Sequence, residues 1–522
     1  MSKNKFLKGA LILTVAGFMV KILGSVNRIL LSRMLTGEGI GLYQMAYPVY
    51  LLLLSVSSAG VPVAVSILVA EKVARKEYRE AHRIFKVTLA LMLVAGLLFA
   101  GCLYLLAGYL IDQGFIRDSR AYLALVVLTP AVFFSSILAS FRGYFQGYQM
   151  MTPPAVSQIL EQLVRVTAMV LLAWWLLPYG LEYAAAGAAF GAVPGGLTGL
   201  VVLTWFYRRA RKKWRATEQV EALHPETPWR IAMRLVLLAI PVSCANIMIP
   251  VTSSIDMLLV PNALGTAGFG VEQSTTLFGY LAGMAQPLVM LATIPTMSLA
   301  ASLVPAVSEA YTLKTRDEIE RKVSQALTIC LLFVLPAVVG MWALAEPISR
   351  VLYGTGAAAP VIAHLAPSIL FLGIFQVTTG ALQGMGKTAV PMWNMLFGAV
   401  VKVGAVWYLT AVPAWHILGS AWASNLNFAL VAVVNILFLA RQVLSFPWGR
   451  AIRLAGASVL MAAALAAVGR LTASWSMFGT LLAGLAAAGP AYGAGLWLFR
   501  GVTREELLNL PKVGKLLRRF VK

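Results

Sequence analysis

Five basic side chains lie inside apolar stretches of this 522-residue chain, where a charge needs a partner or a hydrated cavity. These residues are Lys21, Arg28, Arg165, Arg234 and Lys402. At about 1.5 Å per residue, Lys21 lies roughly 20 Å beyond the start of its apolar stretch, too deep for easy contact with bulk water. Arg28 follows near the same helical face, where a structural pair or contact with the nearby surface is the alternative to a ligand role, and Asn27 is a candidate polar liner. This excess of cations over acids suits an anionic head group such as a pyrophosphate.

Two other embedded cations differ in their neighbours along the chain. Glu161 and Arg165 are four residues apart, a spacing that lets a carboxylate and a guanidinium meet on one face of a helix. A salt bridge that neutralises both is one interpretation, and a substrate-binding role for Arg165 is the other. Lys402 has Gly398 four residues upstream instead of an acid. We therefore expect Lys402 to face a cavity, with a pair to another helix as the alternative.

One apolar stretch, near residues 231–260, carries a single acid, Asp256, beside the polar run 252–254. Asp256 has two interpretations of equal weight: it binds a coupling cation, or it pairs with Lys21 or Arg28. Arg234 lies near the end of the same stretch and is interpreted as an interfacial anchor. The sequence alone leaves the choice for Asp256 open.

Sequence signatures of catalysis are missing. The four histidines are dispersed, and there are no paired carboxylates, no HExxH motif and no glycine-rich phosphate loop that opens a soluble helix. The three cysteines fall singly in apolar stretches without a CxxC spacing. We therefore predict no enzymatic activity, no catalytic residue, no metal site and no cofactor.

The composition places nearly the whole chain in a bilayer. Hydrophobic residues make up 60% of the sequence and charged residues 12%, against about 25% charged in soluble domains. Apolar stretches predict about fourteen transmembrane helices, since each span needs about 20 apolar residues. Most of the 42 Lys and Arg residues fall in the loops that would be cytoplasmic if the N-terminus is cytoplasmic. The net charge of +22 therefore indicates membrane orientation, with both termini cytoplasmic, rather than binding to nucleic acid.

A long-range repeat indicates two related halves. The stretch GYFQGYQMMTPPAVSQILEQLVRV from Gly143 aligns without gaps on the stretch from Gly380, at an offset of 237 residues, and Arg165 falls on Lys402. A shift of 238 residues places Glu71 on Glu309. Parallel repeats of six spans predict two pseudo-symmetric lobes around a central cavity. The predicted organisation is an N-lobe at 1–207, a basic cytoplasmic loop at 208–230, a C-lobe at 231–440, spans 13 and 14 at 441–500 and a basic cytoplasmic tail at 501–522.

Glycines and prolines mark close packing and helix breaks. Gly187, Gly191, Gly195 and Gly199 form a ladder at every fourth residue, which lets a neighbouring helix approach closely. Breaks in the seventh and eighth spans are expected to bend those helices along the cavity. The residues expected at these breaks are Pro241, Pro250, Pro287 and Pro295.

Four motifs in order resemble one known family. They are SFRGYFQG at 140–147, SQILEQLVR at 157–165, LPYGLEYAAAGA at 177–188 and SLVPAVSEA at 302–310. The chain resembles the stage V sporulation branch of the MurJ-type lipid II flippases, in the multidrug/oligosaccharidyl-lipid/polysaccharide (MOP) exporter superfamily. The resemblance implies fourteen helices, two lobes with a V-shaped cavity, and movement of an undecaprenyl-pyrophosphate-linked disaccharide-peptide to the outer leaflet. In spore formers this branch is thought to serve cortex peptidoglycan.

The resemblance also assigns roles to residues in the first span. The segment VKILGSVNR is similar to a motif of the Gram-negative flippases, so that Lys21 falls at their first essential arginine, Asn27 at the second and Arg28 at the adjoining acid. Where those flippases have an arginine five residues before a proline, this chain has Ala282 before Pro287. Arg165 and Lys402 are then the candidates to replace the missing cations.

These observations predict a lipid II flippase of the cytoplasmic membrane that works by alternating access. Its predicted partners are the undecaprenyl-pyrophosphate-linked saccharide and membrane lipids, with a coupling cation left open, and it is expected to be a monomer. One alternative is a cation-coupled exporter of drugs or of other lipid-linked oligosaccharides, which predicts acids in the cavity. Alternatives from another class are a membrane-embedded glycosyltransferase or polymerase, and a sporulation scaffold that transports nothing.

Overall fold

The computed structural model describes residues 3–214, 226–443 and 445–501, and within these ranges every regular element is a helix. Twelve of the described helical segments are long and apolar enough to cross a membrane. The predicted all-α membrane fold is therefore confirmed, whereas the count of fourteen spans is not. The first two predicted spans fall in one continuous helical segment from Ala16 to Ala74, and the seventh predicted span is not among the twelve.

The chain forms two compact units, which divide between Gly283 and Met284. The helices of the first unit are α1 (Lys3–Ser58), α2 (Val61–Ala74), α3 (Tyr78–Asp112), α4 (Ala121–Val126), α5 (Thr129–Gly147), α6 (Thr152–Leu176), α7 (Leu181–Phe190), α8 (Ala192–Trp214), α9 (Pro228–Thr266) and α10 (Val271–Phe278). Those of the second are α11 (Gln286–Ala292), α12 (Ile294–Thr312), α13 (Arg316–Ala343), α14 (Ala345–Ile348), α15 (Ala359–Leu365), α16 (Pro367–Gly384), α17 (Ala389–Thr410), α18 (His416–Ala440), α19 (Trp448–Leu471) and α20 (Met477–Leu498). Helices α9 and α10 thus pack with the first unit, although they follow the predicted lobe boundary. The division into two lobes of six spans stays a prediction.

Proline and backbone geometry set two of the breaks expected from the sequence. Helix α1 kinks at Thr36, whose φ of 59° lies in a region that favours glycine, between the first two predicted spans. Pro295 occupies the first turn of α12, where a missing N–H costs no hydrogen bond. Pro287 lies within the uninterrupted helical run Val271–Ala292, just after the π-helical segment Gly279–Ala285. The expected breaks at Pro241 and Pro250 are not seen: α9 continues as one helix through both positions.

Each unit contains the same pair of glycine contacts, which supports the internal repeat. A Cβ on Gly143 would lie 2.8 Å from the carbonyl oxygen of Pro62 in α2, and one on Gly380 would lie 2.7 Å from that of Ala300 in α12. Four residues later, Gly147 lies against Ser66 and Val69, and Gly384 lies against Val304 and Val307. The contacted residues differ by the predicted 238 positions and the glycines by 237. The helix pairs α2–α5 and α12–α16 are therefore two copies of one packing arrangement.

The C-terminal ends of α2 and α12 also share one backbone geometry. After α2, the N–H of Glu77 bonds to the carbonyl of Lys72 at 2.9 Å, and after α12 the N–H of Thr315 bonds to that of Ala310 at 3.1 Å. The intervening residues, Lys76 and Lys314, have φ values of 62° and 55°. This arrangement is the Schellman end of a helix, in which a left-handed residue lets two carbonyls be satisfied. Both halves thus stop equivalent helices by the same backbone geometry.

Gly143→Ala and Gly380→Ala each test the repeated packing. An added methyl group would meet a carbonyl oxygen, and we expect each variant to lose about 1–3 kcal/mol of stability. Gly404→Ala in α17 is the matched control, because its Cβ would have no atom within 4 Å, and alanine favours the helix. Thermal unfolding of the purified protein in detergent checks this. Equal melting temperatures for all three variants would contradict the proposed close contacts.

Candidate functional site

The first unit contains a largely buried cluster in which one acid serves two arginines. Glu161 of α6 accepts a hydrogen bond from Arg142 of α5 at 2.5 Å and from Arg165 of α6 at 2.7 Å. These side chains are only 12%, 21% and 18% exposed, respectively. The predicted pair between Glu161 and Arg165 therefore forms, but it does not neutralise the site. The three groups together carry one positive charge.

The glycine ladder builds this cluster by bringing α7 and α8 close to α6. A Cβ on Gly195 would lie 2.9 Å from the Cβ of Arg165, and one on Gly199 would lie 3.2 Å from Oε2 of Glu161. Gly187 and Gly191 make the corresponding approach to Leu172 and Met169 further along α6. The predicted packing role of the ladder is confirmed. Since larger side chains would push α8 away, the glycines also keep the ion cluster shielded.

Each arginine of the cluster keeps a donor that the protein does not use. The Nε atoms of Arg142 and Arg165 are buried and have no hydrogen-bond partner among the described residues. A guanidinium carries five N–H donors in a fixed fork, a geometry that matches phosphate oxygens. Unsatisfied buried donors next to a net positive charge can therefore bind an anion.

A row of tyrosines on α1 faces the same charges. The rings of Tyr43, Tyr47 and Tyr50 follow one another with centroids 5.3 and 5.7 Å apart, and all three interact electrostatically with Arg165. The hydroxyl of Tyr50 is buried and has no hydrogen-bond partner within the described part of the chain. These tyrosines, spaced by four and three residues, were not among the site residues predicted from the sequence. Helical periodicity of the three tyrosines was the available signal.

The predicted site residues of α1 occupy different environments. Asn27 is buried, and its Nδ2 donates to the sulfur of Met169 in α6 at 3.2 Å, while its Oδ1 has no partner among described residues. Gly24, one turn earlier, also faces α6, near Gln162. Arg28 is half-buried and interacts electrostatically with Tyr43. Lys21 is exposed on the surface of the unit. The substrate contacts of these residues stay a prediction.

Lys402, which aligns with Arg165, lies in a different environment in the second unit. Lys402 of α17 is 1% exposed, so it offers no surface to a ligand in this conformation. At Gly398, which aligns with Glu161, an added Cβ would lie 2.5 Å from Oδ1 of Asn427 and 2.4 Å from Val431 in α18. Asn427 is fully buried, and neither polar atom of its side chain has a partner within the described ranges. An amide from the facing helix thus takes the space that the acid occupies in the first unit.

Asp256 and Arg234 lie at different depths of α9. Asp256 is 2% exposed in a helix that packs against α1, and both interpretations of it stay open. Arg234 donates to Glu71 at 2.7 Å and to Glu226 at 2.8 Å. Lys72 also pairs with Glu226, at 3.2 Å. Arg234 therefore connects α9 to the end of α2 through ion pairs. The sequence predicted it only as an interfacial anchor.

A second polar network ties the segment before α4 to α1 and α10. Arg120 bonds to Asp118 at 2.8 Å and to Glu38 at 2.7 Å, and Asp118 accepts from the hydroxyl of Thr275 at 2.8 Å. Burial works to raise the pKa of Asp118, but hydrogen bonds from Arg120 and Thr275 outweigh it and lower that pKa. Arg117 also donates to the carbonyl of Pro261 in α9, at 2.8 Å. The two networks hold α9 to the rest of the first unit near both of its ends, and hold α10 through Thr275.

Comparison with known proteins places the chain among membrane transporters. The family model described as polysaccharide biosynthesis protein matches residues 6–311, and the MatE model matches residues 241–407. Stage V sporulation protein B of Bacillus subtilis (strain 168) is 32% identical over 99% of this chain and 100% of its own length. Lipid II flippase MurJ of the same organism is 28% identical over 77% of this chain and 76% of its own. A solved structure of lipid II flippase MurJ in an inward closed conformation has a TM-score of 0.71 at 15% identity, and covers 94% of this chain and 98% of that one.

Glu161→Gln tests the shared carboxylate. Removing the acid leaves two arginines with no counter-charge in a shielded site, and we expect a loss of about 3–5 kcal/mol of stability. Adding Arg142→Gln to this variant should restore part of the loss, because one uncompensated charge is removed. Glu346→Gln is the control, since Glu346 forms an exposed pair with Arg350 that contributes about 1 kcal/mol or less. A Glu161→Gln protein as stable as this control would contradict the cluster.

Asp118→Asn tests the network before α4 by its pH dependence. The lowered pKa of Asp118 means that its contribution is fully present above the ordinary aspartate value of about 3.9 and is lost as pH falls through the lower, folded-state pKa. We expect the variant to melt a few degrees below the parent at pH 7. The two melting temperatures should approach each other as the pH falls below about 3.9. Asp112→Asn, at an exposed acid, should match the parent at both values.

Proposed function

Because the chain belongs to the polysaccharide biosynthesis protein family, within the MOP exporter superfamily of multi-pass membrane transporters, we propose that it flips lipid II across the cytoplasmic membrane. The substrate is a polyprenyl-pyrophosphate-linked peptidoglycan precursor, delivered for spore cortex or cell wall synthesis. The relative lipid II flippase MurJ supports this choice of substrate, and the relative stage V sporulation protein B supports a role in sporulation. We further propose that both termini lie in the cytoplasm, as the distribution of basic residues predicts. We also propose that the protein is a monomer.

The observation that carries the proposal is the net positive charge of the Arg142–Glu161–Arg165 cluster. A charge shielded from water is costly unless it is paired and hydrogen-bonded. The pyrophosphate of the lipid would supply acceptors for the Nε donors of Arg142 and Arg165, which have no partner in the described protein. Charge-assisted hydrogen bonds from guanidinium to phosphate are shorter and stronger than neutral ones. The head group of lipid II therefore supplies what the cluster lacks.

The shared acid fits a transporter better than a tight binding site. Glu161 reduces the charge of the two arginines from two to one, so the attraction to a pyrophosphate is limited. A transported ion must bind well enough to enter and weakly enough to leave. The substrate can bias alternating access only by the difference between its affinities for the two states. We propose that Lys21, Asn27 and Arg28 on α1 add contacts along the path, and that Lys402 joins them only in a conformation that uncovers it.

A cation-coupled exporter is the second candidate, and Asp256 is the residue that favours it. Asp256 is a buried acid in α9, within the region that the MatE model matches. A carboxylate at membrane depth can bind a proton or a sodium ion. This candidate predicts that transport depends on a cation gradient and is abolished by Asp256→Asn. Flipping of lipid II that is unaffected by this change would exclude that role for Asp256.

Flipping of labelled lipid II by the purified protein in proteoliposomes tests the main proposal. The variant Arg142→Gln/Glu161→Gln/Arg165→Gln removes every charge of the cluster without leaving one unpaired. We expect flipping to fall by at least about tenfold, because each charge-assisted bond contributes about 1.5–3 kcal/mol. A variant with Glu346→Gln and Arg350→Gln removes an exposed pair and should flip at the parental rate.

Two results would count against this function. One is a charge-free cluster variant that remains folded and flips lipid II as fast as the parent. The other comes from conditional depletion in the parent organism, with the lipid-linked precursors assigned to each leaflet. We expect lipid II to accumulate on the inner face, and accumulation of a different lipid-linked saccharide would identify another substrate.

A further inference from the structure

The second unit contains a basic cavity that the proposed transport site does not use. It has a volume of about 480 Å³ and lies between the first half of α13 and the start of α19. Arg321, Ser324 and Thr328 line it from one face of α13, at spacings of three and four residues. Arg450 and Arg453 line it from the first turns of α19. Three guanidinium groups therefore surround one open space.

Among the described residues no acid lines this cavity, although Glu318 of α13 interacts electrostatically with Arg321. Glu318 forms an ion pair with Lys322 at 2.9 Å, and Glu320 accepts a hydrogen bond from the backbone N–H of Ser445 at 3.2 Å. Within the described part of the chain, Arg321 and Arg453 form no ion pair. The residues that line the cavity include three arginines, with a formal charge of +3, and no acid.

The chemistry of the lining is that of a phosphate site. Arginine forks bind phosphate oxygens in pairs, and hydroxyl groups such as that of Ser324 add further donors. The cavity also opens beside the first turn of α19, at Gly449, where backbone N–H groups and the helix dipole favour an anion. Here the helix start supplements a cluster of charged side chains.

The surface next to the cavity is apolar and exposed. Trp448 and Ile452 are each 68% exposed, and Val459 is 67% exposed, on one face of α19 that lies about a third to a half of a turn around the helix from Arg453 and Arg450. Tryptophan is enriched where a membrane meets water, with its ring at the level of the lipid head groups. Basic pockets between membrane helices bind anionic head groups in this way. An acyl chain could follow the apolar stripe while its phosphate enters the cavity.

We propose that this α13–α19 cavity binds a phosphate-bearing anion, and that an anionic membrane phospholipid supplies it. Arg321, Arg450 and Arg453 hold the phosphate group, and the stripe from Trp448 to Val459 contacts the acyl chains. The site is separate from the cluster at Glu161, and its ligand is a lipid of the membrane rather than the transported substrate. A soluble phosphate shares the recognition chemistry but would not use the apolar stripe.

Native mass spectrometry of the purified full-length protein tests this site with phosphatidylglycerol, with phosphatidylcholine and with inorganic phosphate as separate probes. We expect phosphatidylglycerol to bind at least about tenfold more tightly than phosphatidylcholine. The variant Arg321→Gln/Arg453→Gln should weaken phosphatidylglycerol binding on the order of 30-fold, from the usual contribution of two basic residues near an anionic head group. Arg470→Gln, an exposed arginine at the far end of α19, is the matched control and should bind as the parent does.

The arms of the experiment separate the two sources of phosphate. Binding of inorganic phosphate that depends on Arg321 and Arg453 and displaces the lipid would support the phosphate site but assign it to a soluble ligand. Binding of both anions that is unchanged in the double variant would overturn the proposal. Melting temperatures without added lipid check folding, and Arg321→Lys/Arg453→Lys, which keeps the charges, should recover much of the binding if the variant with glutamines unfolds.

Discussion

One carboxylate shared by two guanidinium groups is the interaction on which the first unit depends. Glu161 holds Arg142 and Arg165 in a place where neither arginine could remain charged without cost. The acid makes the buried arginines tolerable, and the second arginine keeps the site positive. A pair of one acid and one arginine would be neutral overall. Two arginines without an acid would carry a large free-energy cost of burial. The arrangement of three residues lies between these cases. It gives the transporter a largely buried group with a net charge of +1.

The sequence was most informative where the physical rule is local. Alternation of apolar stretches and basic loops predicted an all-helical membrane protein. The ladder of Gly187, Gly191, Gly195 and Gly199 predicted a close helix contact, because only the absence of a side chain permits it. The spacing of Glu161 and Arg165 predicted their salt bridge. Each of these inferences needed only one helix or one pair of adjacent turns.

The errors and omissions concern relations between distant segments. Nothing in the sequence around Arg142 indicates that α5 would bring it to Glu161, 19 residues later in the chain. The partners of Arg234, among them Glu71 on α2, were missed for the same reason. Pro241 and Pro250 were expected to break α9, but α9, which packs against α1, α2 and α3, continues as one helix through both prolines. Tertiary contacts decided all three outcomes.

The two halves of the chain have diverged in matched positions. In the first half the side chain of Glu161 on α6 fills the space between the two helices, and the facing residue on α8 is a glycine. In the second half the bare position is Gly398 on α17, and the side chain comes from Asn427 on α18. A carboxylate could therefore not be regained beside Lys402 by one change, because it would collide with the amide that now fills the gap. The two halves thus share a helix-packing scaffold but differ at this position, where only the first half has room for the acid.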